Sequence, residues 1–195
     1  MSKKEDARSL AQKGETNYLS RNYEAALVYF NQAIEQNKDY AWAYAHRGQV
    51  HRQKENFLEA VKDFDKAIEL DKKYAWAYAH RGETKFMMGK HDEAKADLNK
   101  ALELEGKYTW ALAHLGQVCR YKGEYEEAID HFTAAIEQNS NYAWALAYRS
   151  TIHALKHDYE AAWADLLNAI KIDPVVPLRG SQAAELGAEI FAGLV

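Results

Sequence analysis

The sequence predicts an all-α solenoid, five copies of one helix-turn-helix unit stacked in series and closed by a C-terminal helix. Three observations carry that expectation. A phrase recurs at a spacing of 34 residues: Asp39-Tyr-Ala-Trp-Ala-Tyr-Ala-His-Arg-Gly48 returns as Lys73-Tyr-Ala-Trp-Ala-Tyr-Ala-His-Arg-Gly82, Lys107-Tyr-Thr-Trp-Ala-Leu-Ala-His-Leu-Gly116 and Asn141-Tyr-Ala-Trp-Ala-Leu-Ala-Tyr-Arg-Ser150. A fixed period of this length marks one supersecondary unit packed on copies of itself. Apolar residues in the second half of each copy then fall at helical spacing, as Ala60, Phe64, Ala67 and Leu70 do. Proline, finally, occurs only at Pro174 and Pro177, so no helix is interrupted before the C-terminal end.

Aligning the copies on Gly48 gives units at 7–40, 41–74, 75–108, 109–142 and 143–176. The first helix of each is the Ala-rich phrase, for example Ala41 to Arg52, built of strong helix formers. A short turn follows, marked by Asn22, Gly89 or Gly123, before an acidic-aromatic step such as Glu124-Tyr-Glu-Glu-Ala128. The second helix is amphipathic, with lysines and acids on its outer positions. Beyond the fifth unit, Pro177-Leu-Arg-Gly-Ser181 reads as a break ending in a serine N-cap, and Gln182 to Leu194 as a last helix. Leu186, Ile190 and Leu194 would cover the end of the stack, as a solenoid requires. Ile190-Phe-Ala-Gly-Leu-Val195 is more apolar than a cap needs and reads also as a self-association patch.

Small residues occupy unit position 8 (Gly14, Gly48, Gly82, Gly116, Ser150), position 20 (Ala26, Ala60, Ala94, Ala128, Ala162) and position 27 (Ala33, Ala67, Ala101, Ala135, Ala169). Large apolar ones occupy position 24 (Phe30, Phe64, Leu98, Phe132, Leu166). Two helices that cross closely need a missing side chain where they touch and a knob beside it. Over 7–176 this pattern closely resembles the tetratricopeptide repeat family, which implies a right-handed α-solenoid. Two departures stand out. The family proline at position 32 survives only as Pro174, and the family tryptophan at position 4 is Leu10, Tyr44, Tyr78, Leu112 or Leu146, with a tryptophan two residues earlier in four units.

Arginine and aspartate covary between the copies. Position 7 is Arg47, Arg81 and Arg149 where position 23 is Asp63, Asp97 and Asp165, while the fourth unit has Leu115 with His131 and the first Lys13 with Tyr29. Each arginine is expected to reach the aspartate of the second helix as a partly buried bidentate pair with a structural role.

The resemblance implies that first helices line a concave surface. Positions 2, 6, 9 and 13 share one helical face: Trp42, His46, Gln49, Gln53; Trp76, His80, Glu83, Met87; Trp110, His114, Gln117, Tyr121; and Trp144, Tyr148, Thr151, Leu155. The first unit differs, with Arg8, Gln12, Glu15 and Leu19. A tyrosine precedes each tryptophan by two residues, at Tyr40, Tyr74, Tyr108 and Tyr142. Such a ladder suits an extended or helical peptide offering apolar, proline or arginine side chains. Equally, the rings could pack unit on unit, and sequence alone leaves both roles open. Within the ladder, Trp42, His46, Gln49, Trp76, His80, Glu83, Trp110, His114, Gln117, Trp144 and Tyr148 are the candidate peptide contacts. His46, His80 and His114 would hydrogen-bond ligand backbone; they stand about a helix diameter apart, too far to share a metal ion, so none is expected.

Composition narrows the function class. Net charge is −4 and charged residues make up 28%, interspersed in sign, so no global basic field points to nucleic acid or acidic membrane. Cys119 is the single cysteine, excluding an intramolecular disulfide and the zinc-finger spacings, and it reads as a buried, inert filler. No membrane span or signal-peptide core is seen, which reads as a soluble, cytoplasmic chain. Phosphate loops, zincin pairs and nucleophile elbows are absent from the sequence. The carboxylate clamp by which some family members hold chaperone C-termini would need lysine at position 5, where Ala11, Ala45, Ala79, Ala113 and Ala147 stand. The expectation is a non-enzymatic scaffold without cofactor, binding a protein or peptide partner in an aromatic groove. Its rival is a structural module that self-assembles through the solenoid ends and the C-terminal helix.

Overall fold

A computed structural model describes residues 3–175. Among these residues the secondary structure is ten α-helices in five antiparallel pairs: α1 (Lys3–Leu19) with α2 (Tyr23–Gln36), α3 (Ala41–Gln53) with α4 (Phe57–Leu70), α5 (Ala75–Met87) with α6 (His91–Leu104), α7 (Thr109–Tyr121) with α8 (Tyr125–Gln138), and α9 (Ala143–Leu155) with α10 (Tyr159–Ile172). The expected helix from Gln182 to Leu194 and its apolar end lie outside the described residues.

The helices form two compact units that divide between Gly106 and Lys107. In the first, α1–α6 carry three repeats; each second helix packs on the next first helix, and α1, α3 and α5 touch in succession. In the second, α7–α10 carry two repeats, with α8 on α9 and α7 against α9. Neighbouring first helices thus share one face in each unit.

Packing follows the size alternation. The alanines at positions 20 and 27 are fully buried in all five repeats, and so are Phe30, Phe64, Leu98 and Phe132. Closure of each pair rests on position 8: a Cβ on Gly82 would stand 3.0 Å from Leu98 Cγ and 3.1 Å from the Ala94 carbonyl oxygen. In the fifth repeat that carbonyl's counterpart, on Ala162, accepts a 2.8 Å hydrogen bond from Ser150 Oγ, so the serine replaces close contact with a bond.

One turn joins the helices in every repeat. The N–H groups of Arg21 and Asn22 donate back to the carbonyls of Tyr18 and Asn17, at 2.9 and 2.8 Å, and the same two bonds recur at Glu55–Asn56, Gly89–Lys90, Gly123–Glu124 and His157–Asp158. This is a Schellman closure, and it demands a left-handed residue at its first position. Gly89 and Gly123 meet the demand without strain, whereas Arg21, Glu55 and His157 hold φ of 60–61° despite their Cβ atoms. In the first repeat the sequence marks the turn with Asn22; the left-handed residue is Arg21, and Asn22 is the N-cap of α2.

Between repeats, where the family proline is missing, an Asx turn bends the chain. Asn37, Asp71 and Asn139 accept through Oδ1 from the backbone N–H two residues on, at 3.2, 2.9 and 3.1 Å.

Candidate protein-binding face

Each tryptophan of the ladder sits in the first turn of its helix, one turn ahead of position 6, so helical geometry brings the two rings together. In α3 the Trp42 and His46 rings stack at 3.6 Å between centroids. The other face of His46 lies 4.8 Å from Trp76, with the planes within 3° of parallel, and Trp76 continues to His80 at 3.9 Å. The second unit repeats the arrangement from Trp110 to His114 at 3.7 Å, to Trp144 at 5.1 Å, and on to Tyr148 at 4.6 Å, edge on. Beneath these rings lie Phe30, Phe64 and Phe132, each 6.1–6.2 Å from a tryptophan. Tyr40, Tyr74, Tyr108 and Tyr142 flank the tryptophans at 5.9–6.1 Å. Aromatic pairs of this kind contribute about 0.5–1.5 kcal/mol each beyond their area burial. The ladder therefore packs repeat against repeat, and the tryptophans keep part of their surface exposed.

The histidines are held from within. Nδ1 of His46 donates to the Trp42 carbonyl at 3.0 Å, and Nδ1 of His114 to that of Trp110 at 2.9 Å; a carbonyl only accepts, which fixes the protonated nitrogen. Burial between two indoles pushes the His46 pKa down from about 6.5 to about 4, the Trp42 carbonyl opposing and nearby His80 adding to the fall. His80 is only 7% exposed. Burial lowers its pKa too, against the pull of the Glu83 carboxylate 3.3 Å from Nδ1. Glu83 also pairs with Arg52 of α3. His80 and Glu83 are thus engaged inside the repeats and have little surface to offer a ligand. Gln49, Gln117 and Tyr148 remain partly exposed.

The arginines and aspartates come together as forked pairs. Arg47 Nε and Nη2 donate to the two oxygens of Asp63 at 2.8 and 2.6 Å, Arg81 to Asp97 at 2.8 and 2.5 Å, and Arg149 to Asp165 at 2.7 and 2.8 Å. A further bond reaches the previous repeat: Nη1 donates to Asn31, Asp65 and Thr133 respectively, at 2.7, 2.6 and 2.8 Å. The guanidinium therefore fastens helix to helix and repeat to repeat at once. The second role depends on position 25, whose residues differ in type and show no common signal along the sequence.

Position 13 is where the face offers apolar surface. Leu19 and Met87 in the first unit, and Tyr121 and Leu155 in the second, are 46–73% exposed, and Gln53 is exposed beside them. These side chains belong to the helical face read from sequence but not to the expected contacts, because their identities change from repeat to repeat and no motif draws attention to them.

Five antiparallel helix pairs with an inward knob at position 24, and first helices that share a face within each unit, define an α-helical repeat protein. Tetratricopeptide-repeat sequence profiles match residues 7–40, 39–105 and 74–139, and 115–177. The chain belongs to the tetratricopeptide repeat family. Among solved structures it is similar to YrrB, a TPR protein with an unusual peptide-binding site, at 26% identity over 95% of this chain and 93% of that one, with a TM-score of 0.70. It is similar in fold to MamA, at 19% identity over 88% and 93% and a TM-score of 0.72. The first TPR of Spaghetti (RPAP3), bound to the HSP90 peptide SRMEEVD, matches at 24% identity over 62% and 95%, with a TM-score of 0.60. No curated protein matches the chain in sequence.

Proposed function

We propose that the chain is a cytoplasmic, non-enzymatic interaction module that takes a peptide segment of a partner protein along the first-helix face. The single observation that carries this is the exposure of the apolar side chains at position 13, Leu19 and Met87 in the first unit and Tyr121 and Leu155 in the second, each on the helical face that also carries position 2 and position 9, where the partly exposed tryptophans, Gln49 and Gln117 stand. Apolar and aromatic side chains lining a groove, with a few amides to bond peptide backbone, are what helix or extended-chain recognition uses. The likeness to YrrB, a TPR protein with a peptide-binding site, supports the same reading. A lone cysteine suits a reducing compartment.

The ligand is not an acidic C-terminus held by a carboxylate clamp. Position 5 is alanine in all five repeats, and positions 2 and 6 of the last four carry aromatic rings packed against one another. Peptides selected from a random library on the wild-type chain should bind the folded Met87→Asp and Leu155→Asp variants at least tenfold more weakly. Undiminished binding by both variants would remove the first-helix face from consideration and favour assembly through the chain ends.

A further inference from the structure

We infer that the fourth repeat carries a metal site, built from Cys119, Glu127 and His131, that takes a thiophilic divalent cation of the zinc class. The sulfur of Cys119 on α7, a carboxylate oxygen of Glu127 and an imidazole nitrogen of His131 on α8 all lie within 4.8 Å of one another. Glu127 and His131 are one helical turn apart, so both project from the same side of α8 toward α7. His131 Nε2 stands 3.5 Å from Glu127 Oε1, and it is buried without a hydrogen-bond partner.

The second and third repeats, which share the glutamate, show what this corner does when an arginine–aspartate pair occupies it. Its residues occupy unit positions 11, 19 and 23. In the third repeat these are Lys85, Glu93 and Asp97, and the Lys85 ammonium sits between the two carboxylates, 3.4 Å from Glu93 and 2.9 Å from Asp97. In the second they are His51, Glu59 and Asp63, with His51 Nε2 3.9 Å from Asp63. Arginine from position 7 completes both clusters. The fourth repeat departs at three places together: the arginine becomes Leu115, the position-11 base becomes Cys119, and the aspartate becomes His131, while the glutamate stays. The arginine of both repeats and the Lys85 ammonium of the third have no counterpart here, and a thiol and an imidazole stand beside the carboxylate instead.

The donor set selects the ligand class. Thiolate and imidazole favour Zn²⁺ and its relatives over Mg²⁺ or Ca²⁺, which prefer oxygen. Zn–S and Zn–N bonds of about 2.3 and 2.0 Å place tetrahedral ligand atoms about 3.5 Å apart, the separation His131 and Glu127 already have, so any closure on binding is at most about an ångström. The half-exposed Glu127 has the rotamer freedom to do so and leaves a path for the ion. Three protein ligands leave one position for water. The same three side chains do not serve a nucleophilic thiol, because Cys119 is fully buried and no organic substrate reaches its sulfur.

Co²⁺ added to the chelator-treated 195-residue chain tests this. A tetrahedral site with a thiolate ligand should give a near-ultraviolet sulfur-to-cobalt charge-transfer band and strong visible bands, saturating at one equivalent and displaced by Zn²⁺. Cys119→Ser should abolish the charge-transfer band, and His131→Asn should weaken binding at least tenfold. The double variant Leu115→Arg, His131→Asp rebuilds the ion pair of the sister repeats, so it should fold with native helicity and show no charge-transfer band. Absence of the band in wild type, or its persistence in Cys119→Ser or in the folded double variant, would overturn the site.

Discussion

Replacing Asp97 by alanine removes the acceptor on which one whole polar cluster converges. The side chain is 6% exposed and takes hydrogen bonds from Arg81 at 2.8 and 2.5 Å and an ion pair from Lys85 at 2.9 Å. Without it two cations face each other across a shielded gap. Breaking a buried pair in this way costs about 3–5 kcal/mol, most of it the stranded charge. Arg81 keeps its 2.6 Å bond to Asp65, and Lys85 keeps Glu93 at 3.4 Å, which places the expected loss near the lower end, about 3 kcal/mol. If the chain melted as one body this would lower Tm by about 6–12 °C. Repeat arrays do not always unfold as one body, so amide exchange in α5 and α6, set against α9 and α10, is the sharper assay. A companion variant, Arg81→Met with Asp97→Leu, removes both charges and should recover most of the loss. Protection in α5 and α6 unchanged by Asp97→Ala, or a double variant no better than the single one, would refute a stabilising role for the fork.

The His46 pKa of about 4 lies below its unfolded value of about 6.5, so the neutral ring's contribution is complete above pH 6.5 and lost as pH falls toward 4. At pH 5 the loss from this group is about 2 kcal/mol, and His46→Phe should flatten that part of a urea-stability profile; an unaltered slope would argue against a buried neutral imidazole. Glu55→Gly relieves a left-handed backbone at φ 60° and should raise stability by about 0.5–1 kcal/mol in denaturant titration, whereas Gly89→Ala, at φ 75°, should lower it by about 1. Trp76→Ala should cost about 3 kcal/mol or more of stability, since the ring is packed by His46, His80 and Phe64, while Met87→Asp should change stability by less than about 0.5 kcal/mol. Equal stability of these two variants would mean that the ladder contributes nothing to packing.

Much of the fold was legible because close helix crossing leaves a compositional mark. Glycine or serine at position 8, alanines at positions 20 and 27 and the knob at position 24 follow from sterics alone, and all the alanines are buried. The turns were less legible. A left-handed residue is visible in sequence when it is Gly89 or Gly123, but at Arg21, Glu55 and His157 the two Schellman hydrogen bonds hold the conformation against the side chain's preference. For the candidate site, helical periodicity names the residues on a face without saying which of them the next repeat covers. His46 and Met87 lie on that face alike; one is enclosed by an indole from the following repeat, the other stands in the open.

Repetition itself bears on which residues meet a partner. A residue type that recurs in every repeat answers a demand common to every repeat, and the demand common to all is packing on a neighbour. Tryptophan at position 2 and a ring at position 6 recur in four repeats and pack on each other; arginine at position 7 recurs in three, each time with its aspartate, and is satisfied by it. A peptide with its own sequence makes a different demand on each repeat, and the positions that meet it must differ. Position 13 differs, running Leu19, Gln53, Met87, Tyr121 and Leu155, and it is exposed throughout. The conspicuous ladder thus accounts for packing within each unit, and the irregular, exposed position 13 is where the proposed peptide would be distinguished. By the same logic the corner formed by Cys119, Glu127 and His131, which differs from the second and third repeats at two of its three positions, answers a demand that packing does not make.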